Sequence, residues 1–269
     1  MTSILSFDVG GSKIAWALCN SNGELLSKVY KIATPQQADA IADVFSAQVK
    51  KIKPDTVAVA TAGVVLNNHL AGKPNNLPQG YENIDFAALF NCPYVIENDA
   101  NAAMWAEYKI GNLRGVKDGI MLTLGTDVGC GIICNGQIVH GKAGAAGEVQ
   151  FDFSGRSLQR LAKENGMTET DCFLIANLAK NANNQAMQAY NLWQKKLCEG
   201  IKLLNSILDT ECIVLSGSCA QIVDYEEITK ILSAAGVHNL PKVKPAVCGN
   251  NAGIIGAALL GADKLKEKN

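Results

Sequence analysis

The sequence predicts an α/β fold made of two similar halves that face each other across a cleft. Apolar residues make up 48% of the chain and aromatic residues only 6%, a composition typical of sheets of small aliphatic side chains covered by helices. A pattern of strand, glycine turn and strand at residues 4–30 returns at residues 119–140. Two copies of one supersecondary unit indicate a duplicated architecture.

The first copy begins with apolar runs at residues 4–7 and 14–19, which are separated by two adjacent glycines. With a third strand ending near Tyr30, these runs predict an antiparallel meander. The glycine pair lets backbone amides approach an anion closely, or it only turns the chain. The carboxylate of Asp8, at the end of the first strand, suits a hydrated Mg²⁺ that carries phosphate.

The next elements are a helix over residues 36–51, a buried strand over 57–60 and a short helix over 86–90. Apolar residues at helical spacing predict the first helix, which Pro54 follows. A long polar loop containing Asn76 precedes the short helix. Such a loop either serves a binding site or only connects two elements.

Residues 94–108 place a carboxylate at a junction that α/β proteins often use for chemistry. The apolar run 94–96 predicts a strand, and the alanine-rich stretch 100–108 predicts a helix. Asp99 therefore lies at the carboxyl end of a strand, where a side chain can reach a ligand. An equally strong alternative is that Asn98 or Asp99 caps the helix by accepting hydrogen bonds from its first amides.

The second copy repeats the first. Strands over residues 120–124 and 132–134 flank a glycine turn at 125–131, and a further strand covers 137–140. A loop of small residues follows and ends in Glu148. Glycine turns from two facing halves could hold a polyphosphate from two sides.

The longest helix is predicted over residues 186–208, after a helical region that starts at Ser157 and continues to about Lys180. One face of the long helix is apolar and is best explained as core. Its residues are Met187, Tyr190, Trp193, Leu197, Ile201, Leu204 and Leu208.

The C-terminal part contains a strand over residues 213–215 and a turn of small residues at 216–218. Such a turn accommodates part of a nucleotide or only starts a helix. A further strand is predicted over 243–248 and a small-sided helix over 251–260. The tail 262–269 is expected to be frayed and exposed.

Composition excludes several classes of function. The net charge is −1 and no basic run exceeds a pair such as Lys50 and Lys51, so no nucleic acid is expected as a partner. Nine cysteines without a CxxC spacing indicate reduced thiols in a cytoplasmic protein. No apolar segment approaches the roughly 20 residues of a membrane helix.

Seven short motifs in register resemble the ROK family of bacterial sugar kinases. They are DVGGSK at 8–13, TAGVV at 61–65, ENDANAA at 97–103, LGTDVGCGI at 124–132, AAGE at 145–148, LSGS at 215–218 and NAGIIGAALL at 251–260. The resemblance implies the actin-like (hexokinase-like) ATPase fold. It also implies a smaller domain over residues 1–115, completed by a C-terminal helix over 251–269, and a larger domain over 116–250.

The resemblance implies an ATP-dependent hexose kinase, glucokinase-like, that phosphorylates the 6-hydroxyl of its sugar. Asp99 matches the catalytic aspartate of the family and would accept the hydroxyl proton. Asn98 and Glu148 would bind the sugar, the latter near its anomeric end. Gly63 and Asn76 are further candidate sugar contacts.

The resemblance also implies where ATP and Mg²⁺ bind. Asp8 would position Mg²⁺ through water, and Gly217 would pack against the adenosine. The phosphates would be cradled by Gly10, Gly11, Ser12, Lys13, Gly125 and Thr126.

The chain departs from the family after Glu148. The family continues with a histidine-containing segment and a cysteine-rich zinc loop that ends in a second sugar-binding glutamate, whereas here only five residues separate Glu148 from Ser154. We therefore expect no bound zinc, and the wall of the sugar site must be built differently. Gln150 or Asp152 is a candidate substitute for the lost contacts.

Further departures affect the nucleotide side. Asp127 and Cys130 stand where the family has glycines, and Ser216 and Ser218 replace glycines of the adenosine turn. An aspartate near a triphosphate repels it unless it points away or toward a metal. Two alternatives thus stay open beside a glucokinase: an N-acetylmannosamine or other hexose kinase, and a catalytically weakened sugar sensor. The resemblance suggests a homodimer.

Overall fold

The computed structural model describes residues 2–168, 170–237 and 239–266. Residues 267–269, the end of the predicted C-terminal helix, lie outside this range. The chain forms two compact units. Unit 1 consists of the residues up to Arg114, the segment His140–Ala146 and the residues from Asn250 onward; unit 2 consists of Gly115–Val139 and Gly147–Gly249.

Unit 1 is built on a five-stranded sheet of order β3-β2-β1-β4-β7. The strands are β1 Ile4–Val9, β2 Lys13–Cys19, β3 Tyr30–Ala33, β4 Thr56–Thr61 and β7 Tyr94–Asn98, and a small hairpin adds β5 Val65–Leu66 and β6 His69–Leu70. The meander β1-β2-β3 is antiparallel, whereas β1, β4 and β7 are parallel. The helices are α1 Ala38–Ile52, α2 Phe86–Leu89, α3 Asp99–Ile110 and α8 Ala252–Lys266.

Unit 2 repeats this sheet, with order β10-β9-β8-β11-β12. Its strands are β8 Gly119–Leu124, β9 Val128–Cys134, β10 Gln137–Ile138, β11 Cys212–Ser216 and β12 Lys242–Pro245, and its helices are α4 Gly155–Glu164, α5 Cys172–Lys180, α6 Asn184–Leu208 and α7 Tyr225–Ala234. The antiparallel and parallel pairings match those of unit 1 strand for strand. The duplication read from the sequence is thus present in the backbone.

The two faces of the unit 1 sheet bury different kinds of side chain. One face packs aromatic residues, including Phe7 and Phe45, whose ring centroids are 4.9 Å apart. The other face carries alanines, on which α3 and α8 pack closely. A Cβ placed on Gly256 would lie only 1.6 Å from the carbonyl oxygen of Ala102. The small residues of the C-terminal helix therefore serve backbone-to-backbone packing.

The third strand differs from the prediction, because it begins at Tyr30 and ends at Ala33. Before Tyr30, the hydroxyl of Ser27 accepts a hydrogen bond from the amide of Leu18 at 3.0 Å. A side chain thus takes the place of a backbone carbonyl, which interrupts regular pairing there. The prediction that Met187 of α6 belongs to the core is also wrong, since this residue lies in the first turn of the helix and is 37% exposed.

Several element ends also differ from the prediction. In unit 2, β9 begins at Val128, inside the predicted glycine turn, and β10 ends at Ile138 rather than at residue 140. The helical region predicted from Ser157 to about Lys180 is two helices, because Gly166 turns the chain at φ +81° and Asp171 caps the second helix. The last strand ends at Pro245 rather than at residue 248. The C-terminal helix continues through Lys266 instead of fraying at 262, since Asp263 forms an ion pair with Lys109 at 3.1 Å.

No helix in the described ranges is both long and apolar enough to cross a membrane.

Candidate active site

Three parallel strands of unit 1 end at one edge of the sheet. The register places Val9 beside Thr61, and Thr61 beside Asn98. Loops that follow the carboxyl ends of neighbouring parallel strands meet at a common crevice. The structure thereby brings together the end of β1, which carries Asp8, and the end of β7, which Asp99 follows; the sequence singled out these two residues separately.

Asn98 determines how helix α3 begins. Its Oδ1 accepts hydrogen bonds from the amides of Ala100 at 2.9 Å and Asn101 at 3.1 Å. Its Nδ2 donates to the carbonyl oxygen of Gly63 at 3.0 Å. Asn98 is therefore the N-cap, and it also ties the start of α3 to the turn after β4.

Asp99 is the first residue of α3 and is half-buried. Its Oδ1 accepts a hydrogen bond from the amide of Ala100 at 2.8 Å. Because Asn98 supplies the cap, the helix start does not depend on the carboxylate of Asp99. This carboxylate lies at the positive end of the dipole of α3.

Glu97 is a buried carboxylate that the sequence reasoning missed. It is 5% exposed, and its Oε1 accepts hydrogen bonds from the amide of Asn98 at 2.9 Å and from Nδ2 of Asn101 at 3.1 Å. Its Oε2 lies 2.7 Å from Nε2 of His140. The hydrogen bond to Glu97 raises the pKa of His140 above its ordinary value, although partial burial acts against this shift. Glu97 thus links His140, the first residue of segment 140–146, to the backbone of Asn98 at the end of β7.

The glycine turn after β1 is held by its own backbone and by β3. The amide of Gly10 donates to the carbonyl oxygen of Lys13 at 3.0 Å, and the hydroxyl of Thr34 donates to the carbonyl oxygen of Gly10 at 2.6 Å. A Cβ on Gly11 would lie 2.5 Å from the carbonyl oxygen of Asn76. Glycine is needed at position 11 because the polar loop packs against the turn there. The structure therefore places Asn76, a candidate sugar contact, beside the glycines that are candidate phosphate contacts.

Asp8 is half-buried beside this turn, and burial raises the pKa of its carboxyl while the charges of Lys13 and Lys31 lower it. None of the described residues donates a hydrogen bond to this carboxylate. Helix α8 packs closely on it at residue 253, where a Cβ added to the glycine would lie 3.0 Å from Cγ of Asp8.

Magnesium fits the chemistry of this position. A partly buried carboxylate without a hydrogen-bond donor is stabilised by a cation, and Mg²⁺ commonly uses one or two carboxylates together with water and substrate phosphates. Within residues 2–168, 170–237 and 239–266, no cluster of three or more His, Cys, Asp or Glu side chains could hold a metal by itself. Asp8 would therefore hold the ion jointly with phosphate.

The glycine turn of unit 2 supports the start of α4. The carbonyl oxygen of Gly125 accepts a hydrogen bond from the amide of Gly155 at 2.8 Å, and that of Thr126 accepts one from Arg156 at 3.4 Å. Asp127, which the sequence flagged as repulsive to triphosphate, pairs with Arg156 at 3.0 Å. Both side chains are more than 60% exposed, so this ion pair contributes little to stability.

A groove of about 200 Å³ lies beside this turn. Its lining residues come from the glycine turn, the start of α4, the start of α5 and the turn after β11. They are Gly125, Thr126, Gly155, Arg156, Gln159, Asp171, Cys172, Phe173, Ser218 and Cys219.

Gly217 is explained by packing next to this groove. It adopts φ +86°, and a Cβ there would lie 2.6 Å from the carbonyl oxygen of Leu124. Only glycine allows the end of β11 to lie this close to the end of β8. Ser218, which the sequence noted as a departure from glycine, faces the groove.

Glu148 and its neighbours lie in unit 2. Glu148 is exposed and follows Gly147, whose Cβ would clash with the carbonyl oxygen of Cys130 at 2.1 Å. Asp152 is engaged elsewhere, because Lys196 and Arg160 bind it at 2.8 Å and lower its pKa to about 2. Its predicted use as a substitute sugar contact is therefore disfavoured, whereas Gln150 is exposed.

The two sheets of equal topology, each with a glycine turn after its first strand, define an α/β protein of the actin-like ATPase fold. Similar proteins specify the family. An N-acetylmannosamine kinase of Escherichia coli (strain 55989 / EAEC) is 28% identical over 289 aligned positions, which cover 95% of this chain and 97% of that protein. One of Salmonella typhi is 27% identical over 288 positions, with 95% and 97% coverage.

Solved structures agree with this comparison. A ROK family glucokinase from Streptomyces griseus, in complex with glucose and AMPPNP, is 25% identical with a TM-score of 0.76, covering 97% of this chain and 99% of that one. The Lmo2764 protein of Listeria monocytogenes is 22% identical with a TM-score of 0.86 over the full length of both chains; at that identity the likeness concerns the fold.

The ROK family model matches residues 4–150 and 152–264. The chain belongs to the ROK family. The family, the fold class and the prediction of a kinase enzyme are confirmed, since the relatives are named as sugar kinases.

Proposed function

We propose that the protein is an ATP-dependent hexose kinase that phosphorylates the 6-hydroxyl of its sugar. The observation that carries this proposal is that two neighbouring residues at the start of α3 have different roles. Asn98 caps the helix and binds Gly63, while the neighbouring carboxylate of Asp99 is held at the carboxyl edge of the sheet. The family to which the chain belongs supports the same reaction.

Asp99 acts as the general base in this proposal. The sugar O6 attacks the γ-phosphorus of ATP, the bond from that phosphorus to the β–γ bridging oxygen breaks, and ADP leaves with the electron pair. The proton of the 6-hydroxyl passes to the carboxylate of Asp99. Asn98, Gly63 and Glu148 are proposed to bind the sugar hydroxyls, with Asn76 contributing from the loop beside the first glycine turn.

Positioning and charge neutralisation supply most of the catalysis of phosphoryl transfer. Asp8 would hold Mg²⁺, which would neutralise charge on the phosphates. Further phosphate contacts are proposed for Gly10, Gly11, Ser12, Lys13, Gly125 and Thr126. The groove of unit 2 that Ser218 lines is proposed to receive part of the nucleotide, and Gly217 shapes it.

The identity of the hexose is a finer proposal. We propose a glucokinase-like preference, and the similarity to proteins named N-acetylmannosamine kinase makes that sugar the second candidate. The chain lacks the family segment that would carry further sugar contacts after Glu148, so the substrate must be found by direct measurement. Glucose, mannose, fructose, N-acetylmannosamine and N-acetylglucosamine form a suitable panel.

The test measures ADP release from Mg²⁺-ATP with each sugar. At least one hexose should be turned over, and Asp99→Asn should lower kcat by about 10²- to 10⁴-fold while sugar binding is largely kept. Asp39→Asn is a matched control, because Asp39 also lies in the first turn of a unit 1 helix but is exposed on α1; its activity should equal that of the unmodified protein. No ADP above background with any sugar would refute the kinase and favour the sensor.

Three further properties are proposed from the family resemblance and the composition. The protein is a cytoplasmic homodimer, and it binds no stoichiometric zinc because the cysteine-rich loop of the family is missing. Light scattering of the purified protein tests the dimer. Elemental measurement after exhaustive dialysis tests the zinc content, and one zinc per chain would contradict the proposal.

A further inference from the structure

Two cysteines of unit 2 have no role in the proposed phosphoryl transfer. Cys172 is the first residue of α5, and Cys219 is the second residue of the 3₁₀ turn that follows β11. A Cβ placed on Gly155 would lie 3.6 Å from Sγ of Cys172 and 3.0 Å from Sγ of Cys219. Both sulfurs therefore pack against the same backbone position, and the thiol of Cys172 donates a hydrogen bond to the carbonyl oxygen of Gly155 at 3.4 Å.

The pair is accessible through the groove described above. Both cysteines line it, together with Thr126 and Ser218. Cys172 is half-buried and Cys219 is 3% exposed. A small oxidant that enters the groove can therefore reach the pair, whereas a large one meets mainly Cys172.

The pKa of Cys219 is shifted in the opposite direction to those of Cys130 and Cys198. The neighbouring thiol of Cys172 lowers the pKa of Cys219 below the ordinary cysteine value, and the same interaction raises the pKa of Cys172. By contrast, burial raises the pKa of Cys130 to about 12 and that of Cys198 to about 11. A thiolate is the reactive form of cysteine, so the lowered pKa makes Cys219 the nucleophile of the pair.

We propose that Cys172 and Cys219 form a reactive dithiol that a hydroperoxide oxidises to a disulfide. The sulfur of Cys219 attacks one peroxide oxygen, the O–O bond breaks, and a sulfenic acid and one water form. The sulfur of Cys172 then attacks the sulfur of Cys219, and the S–O bond breaks to release a second water. Hydrogen peroxide is reduced to two waters, and its two oxygens take up the two thiol protons.

Oxidation would close the groove. A disulfide holds its two sulfurs about 2.0 Å apart, which draws the first turn of α5 and the turn after β11 together over Gly155. Gly125 and Thr126 line the same groove. If the groove receives the nucleotide, as the proposed function states, the oxidised protein binds ATP more weakly.

The first experiment detects the bond itself and does not depend on kinase activity. Reduced protein is treated with one equivalent of hydrogen peroxide, alkylated and digested, and the peptides are identified by mass spectrometry. We expect a Cys172–Cys219 cross-linked peptide, which disappears in Cys172→Ser and in Cys219→Ser. Cys134→Ser is the control, since Cys134 is exposed on β9; it should give the same cross-link. Absence of the cross-link in the unmodified protein would overturn the proposal.

The second experiment measures the affinity for a fluorescent ATP analogue with Mg²⁺ before oxidation, after it, and after reduction with dithiothreitol. We expect at least a tenfold loss on oxidation, full recovery on reduction, and no loss in Cys172→Ser. A cross-linked protein with unchanged affinity would overturn the closing of the groove. Reduced protein without any affinity for the analogue would instead refute the proposed nucleotide site, while the cross-link would still decide the dithiol.

Discussion

The pair of Glu97 and His140 allows a clean test of how segment 140–146 is held in unit 1. The substitution Glu97→Gln replaces Oε2, the atom that lies 2.7 Å from Nε2 of His140, by an amide nitrogen. It keeps Oε1, which accepts the hydrogen bonds from Asn98 and Asn101. The variant therefore removes one interaction and leaves the packing and the other two hydrogen bonds in place.

The size of the effect follows from charge and exposure. A hydrogen bond between charged groups contributes about 1.5–3 kcal/mol. The side chain of His140 is 38% exposed, and solvent screening reduces the expected contribution to about 1 kcal/mol. A glutamine amide cannot donate to a protonated imidazole, but it can donate to a neutral one. The loss should thus be greatest where His140 is charged.

The sign of the pH dependence is fixed by the raised pKa of His140. A group whose pKa is higher in the folded than in the unfolded protein stabilises fully below its unfolded pKa, about 6.5 for histidine. This stabilisation is lost as the pH rises through the folded pKa. Glu97→Gln should therefore destabilise unit 1 clearly at about pH 5.5 and much less at about pH 8.5.

The assay is urea unfolding at both pH values, together with an NMR titration of the His140 ring. In the unmodified protein the pKa of His140 should lie above the ordinary histidine value of about 6.5, and Glu97→Gln should return it toward that value. His69→Gln is the control and should change neither stability nor the titration of His140. An equal loss of stability at both pH values, or an unshifted His140 titration in Glu97→Gln, would contradict the stabilising role of the Glu97–His140 pair.

Three further predictions concern packing and charge. Gly256→Ala should lower the free energy of unfolding by about 3 kcal/mol or more, because the new methyl meets the rigid carbonyl of Ala102, and this outweighs the roughly 1 kcal/mol gain in helix propensity; thermal denaturation checks it. Gly253→Ala should keep the melting temperature but lower kcat severalfold in steady-state kinetics, because its Cβ displaces the carboxylate of Asp8. Asp127→Asn should change stability by less than about 0.5 kcal/mol and leave KM for ATP equal or lower, since it removes an exposed negative charge near the glycine turn.

The parts of the fold that could be predicted are those whose signal is local in sequence. The strand and glycine turn around Asp8, its repeat from Gly119, and the strand–helix junction at Asp99 are each specified by contiguous residues. The third strand was misplaced because the hydroxyl of Ser27, rather than a backbone carbonyl, pairs with Leu18. Hydropathy does not reveal such a substitution of side chain for backbone.

The parts of the site that could not be predicted are created by packing between distant segments. The contact of Glu97 with His140 joins residues 43 positions apart, and a buried carboxylate within a strand pattern was its only signal. The contact of Gly11 with Asn76 likewise depends on how the polar loop folds back. The sequence suggested that glycine there either lets backbone amides approach an anion or only turns the chain, and the structure gives a further reason, the close approach of the loop backbone.

The junction at Asn98 and Asp99 shows why a helix cap and a catalytic carboxylate need not be alternatives. Asn98 can accept from two helix amides and donate to Gly63 at the same time because an amide side chain carries both an acceptor and donors. An aspartate at position 98 could cap α3 equally well, but its carboxylate could not donate to the carbonyl of Gly63. In the order Asn-Asp, the first residue therefore caps α3. The carboxylate of Asp99 is positioned by this cap and does not have to form the cap itself.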